Sequence, residues 1–182
     1  MDPDKTEVLQ PGLVDSHAHL DMPEFDPDRE AVIERAFAAG ISAILCPIEV
    51  TDPESMRKTR SITYRYPNII AAAGVHPHAA KDFTPGLGQK IRDLAAQGAI
   101  HALGEIGLDF HYNFSAREEQ IGAFRAQLVI AQELNLPVII HSRLASDDVA
   151  AAIREKGFTR GGVLHCFTES REFADHMLDL GF

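Results

Sequence analysis

Two histidines separated by one residue, His17 and His19, follow a short apolar run that begins at Gly12. Side chains two residues apart in a β-strand project to the same side, so both imidazoles can reach one metal ion. An exposed loop carrying two histidines is the alternative that this short pattern leaves open. A metal ion that kept one position for water would suit a hydrolase.

Three further apolar runs lead into residues of the same chemical kind. Glu105 lies among glycines and apolar residues, His141 follows Pro137–Ile140, and His165 follows Gly162–Leu164. A carboxylate in such surroundings is costly unless it is paired or binds a metal. One such histidine alone is more often a core or surface residue. A histidine or glutamate at the corresponding place in four runs indicates one shared site.

Two other residues near these run ends are candidates for contact with a substrate. His76 is a candidate for phosphate binding or proton transfer, with a structural hydrogen bond as the alternative. Arg143 can hold a phosphate oxygen through its planar guanidinium, or pair with a nearby carboxylate. Asp109 follows Glu105 closely, and a role in capping a turn is as consistent with its position as a role in the site.

Histidine and carboxylate donors without cysteine favour a divalent site for Zn, Mn or Mg. A bridging carboxylate such as Glu105 would suit two metal ions, which hold the attacking and leaving oxygens of a displacement. The sequence contains no Gly-x-Ser-x-Gly motif, no cysteine nucleophile signature and no phosphate-binding loop of the GxxxxGK type. Metal-assisted hydrolysis is therefore favoured over nucleophilic catalysis.

Six short apolar runs, separated by helical segments, must position these residues. The runs do not alternate with polar residues, which is typical of strands buried on both faces of a parallel sheet. They span Gly12–Asp15, Ile41–Pro47, Ile69–Val75, Ala99–Ile106, Pro137–Ile140 and Gly162–Leu164. Asp52 and Pro53 predict the start of a helix that ends before Pro67, and Ser115 with Glu118 predicts a capping box for the longest helix.

Six such units predict a parallel α/β fold, and the clustering of candidate ligands at strand ends favours a barrel, in which those ends meet at one mouth. With 182 residues, 45% of them hydrophobic, one domain spanning 1–182 is expected. The net charge of −10 is opposite to that of a basic nucleic-acid-binding face, so bound metal ions would have to supply positive charge near phosphates.

The composition also predicts where the protein works. Cys46 and Cys166 lie in apolar runs, which predicts buried, reduced thiols. The first twelve residues are acidic and polar, without the pattern of a leader, and no segment is long and apolar enough to cross a membrane. A cytoplasmic, soluble protein is therefore expected.

The ordered motifs resemble the TatD family of metal-dependent deoxyribonucleases, which are amidohydrolase-like TIM barrels. The motifs are VDSHAHLD, GVHPH, GEIGLDF, the helix SAREEQIGAFRAQL leading into LPVIIHSR, and LHCFT. The resemblance implies a (β/α)8 barrel with two metal ions that hydrolyses DNA phosphodiester bonds, often from a 3′ end, with a metal-activated water. It implies that His17 and His19 bind one metal, that Glu105 is the bridging, catalytic carboxylate, and that His141 and His165 complete the ligands.

The sequence departs from the family pattern in two ways. Glu169 stands where the family often has a glycine after its HCF[ST] motif, and a carboxylate near the mouth would alter substrate preference. The family continues with a seventh strand and an eighth that ends in an aspartate, which serves as ligand and general base. An eight-stranded barrel needs roughly 250 residues. We therefore expect about six of eight units, with open sheet edges that favour self-association.

Two other functions remain open at this point. One is an amidohydrolase-type enzyme that cleaves an amide or ester, such as an aminoacyl-tRNA deacylase. A lysine at the end of the fourth strand would favour that branch, and Glu105 occupies the matching place, which favours the nuclease. The other is a catalytically disabled fragment that binds metal but lacks the aspartate. Turnover, as distinct from metal binding, separates these possibilities.

Overall fold

The computed structural model describes residues 12–182, so the acidic start considered above lies outside the described residues. Within this range six β-strands alternate with six α-helices. In chain order the elements are β1 Leu13–Asp15, α1 Arg29–Ala38, β2 Ile41–Glu49, α2 Pro53–Arg65, β3 Ile69–Gly74, α3 Pro85–Ala96, β4 Ala102–Asp109, α4 Arg117–Leu134, β5 Val138–Arg143, α5 Ser146–Lys156, β6 Gly162–Leu164 and α6 Arg171–Asp179. Short 3-10 helices lie at Pro23–Phe25 and Pro77–Asp82. None of the helices described is long and apolar enough to cross a membrane.

The six strands form one parallel sheet in the order β1-β2-β3-β4-β5-β6. In a flat sheet the outer two would lie about 24 Å apart, at roughly 4.8 Å per strand. The rings of His17 and His165, which follow those two strands, are nevertheless stacked with their centroids 3.9 Å apart. The sheet is therefore curled, with its carboxyl ends drawn together. The predicted parallel α/β fold with six units of a barrel is confirmed.

Burial across the sheet is graded from the centre to the outside. All eight residues of β4 are buried, whereas all three residues of β1 are exposed and β6 is only partly covered. The prediction that the strands are buried on both faces is therefore right at the centre of the sheet and wrong at its outer strands. Within residues 12–182 each outer strand has a neighbour on one side only.

Helix α4 packs its apolar face against the centre of this sheet. Phe124 and Leu128 are fully buried and belong to the same core as Ile106 of β4 and Ile140 of β5. Burying an apolar side chain of this size contributes roughly 1.5–3 kcal/mol. The core therefore fixes α4 against the two strands that carry Glu105 and His141.

The predicted start of α2 is confirmed. Asp52 accepts a hydrogen bond from the backbone N–H of Glu54 at 2.9 Å, and the helix ends at Arg65, two residues before Pro67. The cap satisfies one of the N–H groups that have no partner inside the helix.

The predicted capping box of α4 is wrong. The helix begins at Arg117, and the carboxylate that accepts the hydrogen bond from the backbone N–H of Ala116, at 2.7 Å, is that of Glu119. Ser115 is buried instead. Its hydroxyl donates to the carbonyl of His78 at 3.0 Å and accepts from the N–H of Lys81 at 3.1 Å. The serine therefore joins the start of α4 to the 3-10 helix Pro77–Asp82 and does not cap α4.

Strands β4 and β5 run further than the sequence predicted. Gly107 pairs with His141, and Asp109 pairs with Arg143. The backbone of Gly107 has φ +139°, and a Cβ atom there would lie 2.0 Å from the carbonyl oxygen of His141. His141 therefore lies within paired strand, and Glu105 lies in β4 at the interruption of the β4–β5 pairing between Leu103 and Ile106.

The two cysteines differ in exposure. Cys46 is buried in β2, and burial raises the pKa of its thiol to about 11. Cys166 is exposed, so the prediction of a buried thiol is wrong there. It follows β6, an outer strand that is covered on one side only in the part of the chain described.

Candidate metal centre

The buried carboxylate of Glu105 is the point on which the four predicted histidine ligands converge. Its Oε1 lies 2.9 Å from Nδ1 of His141 and 2.5 Å from Nε2 of His165. Its Oε2 lies 3.2 Å from Nε2 of His17 and 3.3 Å from Nε2 of His19. The structure thus brings together all five residues that the sequence singled out as ligands.

The donor atoms divide into two groups that share Glu105. One group contains His17 and His19, and the other contains His76 and His141. Within each group the donor atoms lie within 4.8 Å of one another, and the Nε2 atoms of His17 and His19 are only 3.0 Å apart. A carboxylate shared between two such groups would suit two metal ions.

His76, which the sequence placed among the substrate contacts, lies inside the second group. Its Nε2 is 3.3 Å from Oε1 of Glu105, and its Nδ1 accepts a hydrogen bond from the N–H of His78 at 3.1 Å. Three imidazoles, those of His76, His141 and His165, therefore surround the same carboxylate oxygen.

The protonation chemistry of the cluster fits divalent cations. Burial raises the pKa of Glu105, but the hydrogen bonds from the surrounding histidines outweigh it and hold that pKa far below its ordinary value. Burial lowers the pKa of His76, which favours the neutral imidazole that metals bind. The Nδ1 atom of His17 is buried with no hydrogen-bond partner among residues 12–182. Nitrogen and carboxylate donors without sulfur suit Zn, Mn or Mg.

The pKa values of two other histidines are raised, in contrast to that of His76. The hydrogen bond to Glu105 raises the pKa of His19. Burial lowers the pKa of His141, but the carboxylates of Glu105 and Asp109 outweigh it, so the net pKa is raised. Negative charge at the centre therefore attracts protons onto its ligands, and a bound cation would displace them.

Asp109 serves both a turn and the site. Its Oδ1 accepts hydrogen bonds from the N–H groups of His111 and Tyr112, at 2.9 and 3.0 Å. Its Oδ2 lies 2.9 Å from Nε2 of His78 and 3.0 Å from Nε2 of His141. Burial raises the pKa of Asp109, but these contacts outweigh it and lower the pKa to about 2. The turn role considered from the sequence is present, and the same carboxylate orients His141.

Glu49 is a carboxylate at the mouth that the sequence analysis missed. It ends β2, where its Oε1 accepts from the N–H and the hydroxyl of Thr51, at 2.9 and 2.7 Å. Its Oε2 accepts from the N–H of His76 at 2.9 Å, and burial raises its pKa. Extending the predicted second strand beyond Pro47 by two residues would have placed Glu49 at its end.

Asp21 was also missed. Its Oδ2 accepts a hydrogen bond from the hydroxyl of Ser55 at 2.5 Å, and its Oδ1 lies 4.0 Å from Nδ1 of His19. This carboxylate lies near the His19 ring without a hydrogen bond to it, and its Oδ1 is buried with no hydrogen-bond partner among residues 12–182.

Two buried glutamines of α4, seven residues apart, hold the ends of two strands. Gln127 accepts from the N–H of Val75 at 2.7 Å and donates to its carbonyl at 3.1 Å. Gln120 binds Asp109 in the same way, at 2.8 and 2.9 Å. The helix therefore fixes the backbone beside His76 and at Asp109. The signal available in the sequence was an uncharged polar residue at heptad spacing on an apolar helix face.

The site opens into a cavity of about 1120 Å³ at the carboxyl ends of the strands. Arg143 and Tyr112 line the same cavity as the ligands, and the guanidinium carbon of Arg143 lies 4.8 Å from the Tyr112 ring centre. Within residues 12–182 Arg143 forms no ion pair, so the carboxylate pairing considered from the sequence is absent from that range. Glu169 lines a separate depression beside Ser170, away from the ligands.

A curled parallel sheet with histidines and a carboxylate at its carboxyl edge is the architecture of the barrel-type metal-dependent hydrolases. The TatD related DNase family model matches residues 14–182. This chain belongs to the TatD related DNase family.

Individual relatives agree with that assignment. The chain is 39% identical over 171 residues to the uncharacterised metal-dependent hydrolase YabD of Bacillus subtilis, covering 93% of this chain and 66% of YabD. It is 40% identical over 163 residues to the 3′-5′ ssDNA/RNA exonuclease TatD of Escherichia fergusonii, covering 88% of this chain and 61% of that protein. The crystal structure of YjjV, a TatD homologue of Escherichia coli, superposes with a TM-score of 0.83 at 31% identity, covering 93% of this chain and 65% of YjjV. The chain thus spans less than two thirds of the length of these relatives.

Proposed function

We propose that this chain carries the metal site of a hydrolase that cleaves phosphodiester bonds in DNA, working from a 3′ end. The observation that carries the proposal is the convergence of four histidines, from the ends of three strands, on the buried Glu105 carboxylate. The relative from Escherichia fergusonii, a 3′-5′ ssDNA/RNA exonuclease, supports the choice of substrate. We also propose a cytoplasmic location, because both cysteines are free thiols.

In this proposal His17 and His19 hold one divalent cation, Glu105 bridges to a second, and His141 and His165 complete the set. When bound, two Mg, Mn or Zn ions neutralise charge on the phosphate oxygens and make a water molecule more acidic. The bound cations would also offset the negative charge of the mouth. The mouth carries the carboxylates of Glu49, Glu105 and Asp109, which alone would repel a nucleic acid.

Arg143 and His76 retain proposed roles toward the substrate. Arg143 is exposed at the mouth, and its guanidinium has no carboxylate partner in the described range, so it is available to a phosphate. His76 can donate to a phosphate oxygen or transfer a proton there, and its contact with Glu105 makes it an alternative to His165 as a ligand.

The test is digestion of a 3′-labelled single-stranded DNA with Mg²⁺ or Mn²⁺, comparing the unchanged chain with Glu105→Gln. We expect nucleotide release that falls at least about 100-fold in the variant, since even residues that only support metal ligands cost 10–100-fold. Glu133→Gln is the matched control, because Glu133 lies in an exposed ion pair with Arg92. It should digest like the unchanged chain.

Two results would redirect the proposal. Metal binding that Glu105→Gln weakens, without nucleotide release by the unchanged chain, would identify a site that binds metal without turnover on DNA. Release of an amino acid from aminoacyl-tRNA without cleavage of DNA would support the deacylase alternative.

A further inference from the structure

Tyr112 and Phe114 form an exposed aromatic pair in the loop between β4 and α4, which we call the aromatic shelf. Their rings are nearly parallel, with planes 12° apart and centroids 5.7 Å apart. The two side chains are 49% and 57% exposed, although large aromatic side chains usually bury most of their surface. Parallel rings held open to solvent offer a surface that a third flat ring can cover.

The shelf is held in place by the site itself. Asp109 accepts a hydrogen bond from the backbone N–H of Tyr112 at 3.0 Å. The His78 ring meets Tyr112 and Phe114 edge-on, at centroid distances of 5.6 and 4.8 Å, and its Nε2 lies 2.9 Å from Asp109. Since Asp109 also contacts His141, the position of the shelf is tied to that of the candidate ligands.

Arg143 joins the shelf to the candidate metal centre. Its guanidinium lies over the Tyr112 ring, and both side chains line the cavity that contains Glu105 and His141. The cavity wall thus carries a carboxylate cluster that suits metals, the Arg143 cation and the flat ring of Tyr112, against which Phe114 stacks. A nucleotide chain repeats the complementary series, with a phosphate followed by a flat base.

We propose that the aromatic shelf binds a nucleobase of a single-stranded nucleic acid by stacking, while Arg143 holds the adjacent phosphate. This rests on the proposed function, because it takes the phosphodiester at Glu105 as its reference point. Stacking on an aromatic ring accepts every base, so the shelf confers a preference for unpaired bases without reading sequence. In a duplex the bases are stacked on one another and cannot reach the shelf.

A tryptophan reporter tests the shelf without requiring turnover. The sequence contains no tryptophan, so Tyr112→Trp introduces a single emitter into the shelf. We expect saturable quenching by a phosphorothioate thymidine oligonucleotide, and affinity lower on the order of ten-fold for an abasic oligomer with the same number of phosphates. Tyr64→Trp is the matched control, because Tyr64 is 93% exposed on α2 and does not line the cavity. Its emission should not change.

A competition measurement covers the case in which the reporter variant does not fold. In the unchanged chain, a labelled thymidine oligonucleotide should be displaced by unlabelled thymidine oligomer and by uridine oligomer, but about ten-fold less well by the abasic oligomer. Tyr112→Leu should remove this advantage of bases over abasic sites, and Tyr112→Phe should restore it. If the uridine oligomer displaces the label as well as the thymidine oligomer does, the shelf binds the bases of RNA as well as those of DNA.

Equal affinity of the unchanged chain for the thymidine and abasic oligomers would contradict the proposal that the shelf stacks on a nucleobase. Failure of the two proposals can be told apart. Base-dependent binding without release of nucleotides from DNA would support base stacking on the shelf and contradict the proposed nuclease activity. Release of nucleotides with no dependence of binding on bases would do the reverse.

Discussion

At the scale of single residues, one buried carboxylate explains most of the site. Glu105 lies in the centre of the sheet, where an ionised side chain needs compensation. Imidazoles surround both of its oxygens, and three of them approach the same oxygen, Oε1. His76 and His165 are consequently rival ligands for one side of the carboxylate. The structure shows that either His76 or His165 could be the remaining ligand, whereas the sequence motifs identify only His165.

The sequence predicted this cluster better than it predicted the residues that support it. His17, His19, Glu105, His141 and His165 were identifiable because each comes at the end of an apolar run or within it. The place of His76 in the cluster depends on a hydrogen bond from its backbone to a carboxylate 27 residues earlier. No local pattern reports such a contact.

Gly107 offers a residue-scale prediction about stability. Gly107→Ala would place a methyl group 2.0 Å from the carbonyl oxygen of His141, at a φ of +139° that side chains disfavour. We expect it to lower the free energy of unfolding by at least about 2 kcal/mol, measured by urea denaturation. Gly122→Ala is the control, since nothing lies within 4 Å of its added methyl on α4. It should raise stability by roughly 0.5–1 kcal/mol. Equal stabilities for the two variants would contradict the described packing of β4 on β5.

At the scale of elements, α4 packs on the hydrophobic core and also contacts the strand ends that form the candidate metal site. Its apolar side chains bury against β4 and β5, while Gln120 and Gln127 each bind both backbone groups of a residue at a strand end. A buried amide with both its groups satisfied is stabilising, and its geometry fixes the loop that it binds. The same helix thus supplies stability and positions the loops that carry His76 and Tyr112.

Features of the helices and strands that depend on contacts distant in sequence could not be predicted. The helix that starts at Pro53 was predictable because an aspartate cap and a proline act within one turn. The predicted capping box of α4 does not form because the helix begins one residue later than predicted, and Ser115 instead bonds His78 and Lys81 of the 3-10 helix Pro77–Asp82. The exposure of β1 and of Cys166 depends on which strands have neighbours on both sides, and that is a property of the sheet as a whole.

At the scale of the whole molecule, the curled sheet has two outer strands whose free edges lie open within residues 12–182. Unpaired backbone groups on such an edge favour pairing with another chain. We expect a chain of these 182 residues to self-associate, with an apparent mass in light scattering that rises with protein concentration.

Two valine substitutions test that expectation. Val14 is 63% exposed on the outer strand β1, and a charge there should oppose edge pairing, so Val14→Lys should lower the apparent mass. Val129→Lys, at a 41% exposed position on α4, is the matched control and should leave it unchanged. A monomer at every concentration, for the unchanged chain, would count against association through the edges.

Anomalous diffraction from crystals grown with Mn²⁺ will show whether the cluster around Glu105 binds divalent cations. We predict one peak beside His17 and His19 and a second beside His141, with Glu105 between them. The nitrogen nearest the second peak decides whether His76 or His165 is the remaining ligand. Crystals that bind Mn²⁺ only elsewhere, or show no peak at the cluster when saturated with Mn²⁺, would mean that the residues around Glu105 are not a metal site.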